Sequence, residues 1–124
     1  MDQSTLVAGG QALVRELDKI GFPPRVAMWV HFAETDTWKL WIVPAAPITD
    51  MRQFYRQVAE IVTKHRADLG GIDASDTEMI PETHPAMKGL RRFLRASGLT
   101  SVHFPGNRFN GYYLPDGIIL RSAL

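Results

Sequence analysis

Apolar positions follow a helical period in three stretches of the chain and a period of two in most of what lies between. Leu6, Gly10, Leu13, Leu17 and Ile20 recur at helical spacing, with Gln11, Arg15, Asp18 and Lys19 on the other side. This predicts a first helix from about Thr5 to Ile20. Ser4 is placed to cap it, Gly21 to end it, and Pro23-Pro24 to prevent its continuation. Gly9 and Gly10 disfavour such a helix by about 1 kcal/mol each against alanine, which calls for either close packing there or a frayed first turn. From Arg25 to Ala33, and again from Trp38 to Val43, the period becomes two. Val26, Met28, Val30 and Phe32 then share a face and are expected opposite Trp38, Leu40 and Ile42 across a five-residue connection. The reverse face carries Ala27, Trp29 and His31 beside Lys39, Trp41 and Val43, which makes Trp29 and Trp41 cross-strand neighbours. A slip of one residue would re-sort both faces.

Thr49 or Asp50 is expected to cap a second helix, with Asp50 and Gln53 spaced as a variant capping box. Its apolar stripe is Met51, Phe54, Val58, Ile61, Val62, His65 and Leu69, while Arg52, Arg56, Gln57, Glu60 and Lys64 face water and Gly70-Gly71 stops it. Thr77 to Ile80 reads as a short strand. Thr83 is placed to cap a third helix over Ala86 to Ala96, with Pro85 in its first turn and Met87, Leu90, Phe93 and Leu94 on its apolar side. Ser101 to Arg121 then alternates short apolar or aromatic runs with the turn signals Pro105-Gly106-Asn107, Asn110-Gly111 and Pro115-Asp116-Gly117, the pattern of a β-meander. The order is α-β-β-α-β-α-β-β-β. It predicts a single α+β domain over residues 1–124, with three helices and a mostly antiparallel sheet of five to six strands.

A chain of 124 residues suffices for one core without staples, and with no cysteine it forms no disulfide, which fits a reducing compartment. The first residues carry no basic stretch leading into an apolar run, and no apolar run approaches the roughly 20 residues of a spanning helix. The expectation is a cytoplasmic protein with no membrane partner. Net charge is +1 with neutral histidines, so any basic site must come from local clustering.

Catalytic signatures are missing. His31, His65, His84 and His103 fall on different predicted elements, the His-Glu-x-x-His pattern does not occur, and no metal or cofactor is expected. Asp73, Ser75, Thr77 and Glu78 alternate like a calcium loop but lack its glycine and its closing glutamate. Ser97, Ser101 and Ser122 have no nucleophile elbow around them, and Glu34, Asp36 and Lys39 surround a turn, where acidic residues are common. Gly9-Gly10 and Gly70-Gly71 match no phosphate-binding fingerprint. No catalytic residue is assigned.

Two surfaces remain. Lys88, Arg91, Arg92 and Arg95 fall within an arc of about 100° on the third helix and form a candidate anion or nucleic-acid site, which Arg108, Arg121 or Lys64 would extend if they lay alongside. Trp29, Trp41, Tyr112 and Tyr113 form a candidate partner-binding or homodimer face, unless a helix covers it and turns the tryptophans into a second small core. The leading expectation is a non-enzymatic interaction domain that binds a partner protein or itself through a sheet face or edge. A nucleic-acid-binding accessory protein using the Arg-rich helix over residues 85–97 is the alternative, and an enzyme without a recognisable motif comes third.

Overall fold

The computed structural model describes residues 2–45 and 51–124. Its first helix, α1 (Gln3–Lys19), is capped by Asp2 rather than by Ser4. The Asp2 carboxylate accepts the Thr5 backbone N–H and the Ser4 hydroxyl, each at 2.8 Å. An ionised carboxylate suits the positive end of a helix better than a hydroxyl does, and the Thr5 N–H, then the Ser4 hydroxyl, hold its pKa below the ordinary value. At the other end Gly21 takes φ +75°, which lets the Phe22 N–H reach back to the Leu17 carbonyl at 2.9 Å. Gly9 and Gly10 are there for close packing. A Cβ on the first would stand 2.5 Å from the Leu69 carbonyl oxygen, and on the second 2.8 Å from the Trp29 indole nitrogen.

β1 (Pro24–Phe32) and β2 (Thr37–Pro44) form the expected hairpin in a different register. Thr37 belongs to β2 and pairs with Phe32, so the connection is the four residues 33–36, closed by the Asp36 N–H on the Ala33 carbonyl, with Asp36 at φ +48°. One residue fewer in the loop shifts the whole ladder. Trp29 therefore opposes Leu40, and Trp41 opposes Met28. The tryptophans are on opposite faces of the sheet and are not the cross-strand neighbours that a five-residue connection implied.

The expected cap of the second helix at Thr49 or Asp50 lies outside the described residues. α2 (Met51–Lys64) buries Phe54, Val58, Ile61 and Val62, while Met51 is exposed. Because α2 ends at Lys64, His65 and Leu69 lie in the following turns, although Leu69 still reaches the core. A 3-10 turn at Ala74–Asp76 leads to β3 (Thr77–Met79), which runs parallel to β2. After α3 (Ala86–Phe93) come β4 (Val102–Phe104), β5 (Asn107–Phe109), β6 (Tyr112–Leu114) and β7 (Gly117–Ser122).

The turns of the C-terminal stretch fall where expected, but the pairing is not a simple meander. The main sheet has the order β3-β2-β1-β7-β4, and β5-β6 is a separate two-stranded hairpin inserted between β4 and β7. Asn110 and Gly111 both take positive φ, the requirement of a two-residue hairpin turn matched to strand twist. The Asp116 carboxylate accepts the Gly106 N–H at 2.6 Å and clips the two ends of the insert together, which leaves β4 free to pair with β7. Among the described residues the architecture is α+β, with three α-helices, a mostly antiparallel five-stranded sheet and the two-stranded β5-β6 sheet.

Both faces of the sheet are covered. α1 and α2 pack on Ala27, Trp29, Leu40, Ile42, Ile118 and Leu120. On the reverse, Met87 and Leu90 of α3 and Phe109 and Leu114 of the β5-β6 hairpin pack on Met28, Val30, Trp41 and Ile119. Among the described residues no helix is long and apolar enough to cross a membrane.

Candidate functional site

α3 buries Ala86, Met87 and Leu90 and leaves Lys88, Arg91 and Arg92 in water. Thr83 does not cap it. Pro85 is the cap residue and contributes no side-chain bond, while the His84 Nδ1 accepts the Ala86 N–H at 3.1 Å. The imidazole lies edge-on to Trp41 on one side, at a centroid distance of 5.3 Å, and to Tyr112 on the other, at 4.6 Å. Burial pushes the His84 pKa down, with the Glu78 carboxylate pulling the other way. His84 thus joins β2, the start of α3 and β6.

The helix stops at Phe93, three residues earlier than its pattern implied. Leu94 is extended, and Ala96 exchanges backbone hydrogen bonds with Ser122 at 2.8 and 3.0 Å, reinforced by the Ser122 hydroxyl on the Leu94 carbonyl. The end of β7 beyond its ladder with β4 outcompetes the next helical turn for those backbone groups. Arg95 is exposed but lies beyond the helix, so the four cations do not share one helical arc.

The β5-β6 hairpin sits against α3 at Gly89. A Cβ there would stand 2.6 Å from the Asn110 nitrogen and the Phe109 Cα, so the contact requires glycine. The Asn110 side chain donates to the Pro85 carbonyl at 3.5 Å, and the Phe93 ring meets Phe109 edge-on at 5.5 Å. With Phe109 and Leu114 turned inward, the alternation of the strands puts Arg108 and Tyr113, paired in register, on the outward side. The helix and the hairpin pack on the same face of the sheet, and Lys88, Arg91, Arg92, Arg108 and Tyr113 are exposed on them.

Among the described residues none of these cations, nor Arg95, forms an ion pair. Lys88, Arg91 and Arg92 are spaced i,i+3 and i,i+4, where like charges destabilise a helix by about 0.2 to 0.5 kcal/mol a pair. The sequence carries a signal for this surface beyond the helical arc. Between Glu82 and Asp116 stand five of the fourteen lysines and arginines and none of the thirteen acidic residues, which leaves nine cations against thirteen acids elsewhere.

The other predicted residues are dispersed. Trp29 and Trp41 are 1% and 5% exposed, in different cores, while Tyr112 and Tyr113 remain at the surface. Covering layers on both sheet faces divide the aromatic set. Arg121 is withdrawn from the basic surface by a two-pronged pair with Asp18 at 2.8 and 2.9 Å, which raises its pKa. Lys64 is on α2, across the sheet. His31 pairs with Asp36 at 2.8 Å and stacks on Trp38, His65 lies 3.6 Å from Glu16, and His103 lines a groove between α1 and β4. Among the described residues no three His, Asp or Glu side chains are placed to hold a metal ion. Asp73 and Asp76 instead cap their own 3-10 turn, and Lys39 donates to the Ser75 carbonyl.

A cleft of about 550 Å³ opens between the β1-β2 loop and β6, lined by Phe32, Ala33, Glu34, Thr35, Tyr113 and Pro115. The chain matches no protein-family model, no curated protein and no solved structure.

Proposed function

We propose that the protein is a non-enzymatic accessory domain that docks an anionic macromolecular partner on the outer surface of the α3 and hairpin layer. The observation that carries this reading is the cluster of Lys88, Arg91, Arg92, Arg95 and Arg108, exposed and without a carboxylate partner among the described residues. Clustered like charges repel one another, an anionic partner relieves that repulsion, and the planar fork of a guanidinium is well shaped for one. Helices and the hairpin pack over the central strands on both faces of the sheet, which leaves the basic surface as the better supported place for a partner. The test is retention on a polyanionic resin. Arg91→Glu with Arg92→Glu should elute at markedly lower salt than the unaltered chain, whereas Arg56→Glu with Lys64→Glu, the same charge change on exposed positions of α2, should shift little. Equal shifts from both pairs would reduce the effect to net charge and sink the reading.

A second reading has one observation behind it. β4 is an edge strand of three residues, and the groove beside it is lined by Gln3, Val7, Gln11, Ser101 and His103. Such an edge accepts an extended segment of a partner or of a second copy. Dimerisation measured by light scattering and abolished by a proline at Ser101 or His103 would favour it.

A further inference from the structure

We infer that the anionic partner is a single-stranded nucleic acid, its phosphates lying on the cations of α3 and on Arg108 and one base entering the cleft against Tyr113. This rests on the docking reading above and names the class of partner. Charge alone would serve any polyanion; the aromatic wall beside the charge discriminates among them. Tyr113 is 58% exposed, stands directly across the hairpin from Arg108, and walls the cleft with Phe32 and Pro115. At about 550 Å³ the cleft lies within the range of about 300 to 1,000 Å³ in which small flat ligands bind. A nucleobase matches this lining in both respects. Its faces stack on aromatic side chains at about 1 to 3 kcal/mol per base, and its amino edge donates to a carboxylate such as Glu34 at the rim. A duplex keeps its bases stacked inside and offers the cleft nothing, and an acidic peptide brings carboxylates without an aromatic face.

The test is fluorescence anisotropy of the full chain with three labelled probes: a mixed-sequence single strand of about 20 nucleotides, the same sequence as a duplex, and a polyglutamate of like charge. The single strand should bind most tightly and weaken by about tenfold or more as salt rises from about 50 to 200 mM. Arg91→Gln should lower the slope of log affinity against log salt by about 0.7. Tyr113→Leu should weaken the single strand by about tenfold at unchanged slope and leave the duplex unaffected, while Tyr113→Phe, which keeps the ring, should bind like the parent. Polyglutamate binding as tightly as the single strand, or a silent Tyr113→Leu, would overturn the nucleic-acid assignment and leave the docking reading standing. If none of the three probes binds at low salt, both fall.

Discussion

The indole N–H of Trp29 donates to the Leu6 backbone carbonyl at 2.8 Å, inside the core that α1 and α2 form on the sheet. It fastens the central strand to the first turns of α1, at the point where Gly10 lets the helix approach. Trp29→Phe removes the donor and leaves a void, so it should destabilise the protein by about 2 kcal/mol in denaturant unfolding. Polyanion retention of the folded variant should not change, because the residue lies on the far side of the sheet from the basic surface.

Gly89→Ala sets two effects against each other. Alanine favours a helix by about 1 kcal/mol over glycine, but here its Cβ would press on hairpin backbone, which cannot give as a side chain can. The overpacking, at about 1 to 3 kcal/mol, should win and lower the melting temperature. Gly98→Ala, with nothing within 4 Å, should be close to neutral. A stabilised Gly89→Ala variant would mean that the hairpin is not seated on α3.

His84 should make stability depend on pH. Its neutral form accepts the Ala86 N–H, and burial lowers its folded pKa below the unfolded value of about 6.5. A base with a depressed folded pKa stabilises the fold fully above the unfolded pKa, and that contribution is lost as pH falls through about 6.5 towards the folded value. Glu78, on β3, opposes the shift without reversing it. Melting temperatures measured from about pH 7.5 down to 5 should therefore fall, and His84→Asn, which retains an acceptor but does not titrate there, should reduce the slope. An unchanged slope would remove the capping role.

Arg121 and Asp18 tie the last strand to α1 through two parallel bonds, and the Arg121 side chain is 12% exposed. Arg121→Lys keeps the charge and loses the fork, so it should cost about 1 kcal/mol despite being conservative in name. A double-mutant cycle with Asp18→Asn should return a coupling of about 1 kcal/mol, held down by the partial exposure of Asp18. The hydrogen bonds to Asp18 raise the Arg121 pKa, so its guanidinium stays charged.

Local chemistry was enough for the kind and order of the elements and for some of their ends, though not for the caps of α1 and α3. The apolar spacing of α1 and α2, the αL residue at Gly21 and the hairpin turn at Asn110-Gly111 are decided by side chains within a few residues of one another, and the α+β class follows from their order. The lack of acidic residues between Glu82 and Asp116 is likewise a property of the chain alone. Long-range competition decided the rest. Whether Trp29 faces Trp41 depends on one residue in a loop, since strand faces alternate with a period of two. The last turn of α3 was lost to the end of β7 beyond its pairing with β4, which offered the same backbone groups better partners. The choice of β7 rather than β5 as the partner of β4 turned a meander into an inserted hairpin. That insertion set Arg108 and Tyr113 in the layer of Lys88, Arg91 and Arg92, while Asp18 took Arg121 out of it. A basic surface next to an aromatic cleft is a relation between separate elements, and only their packing creates it.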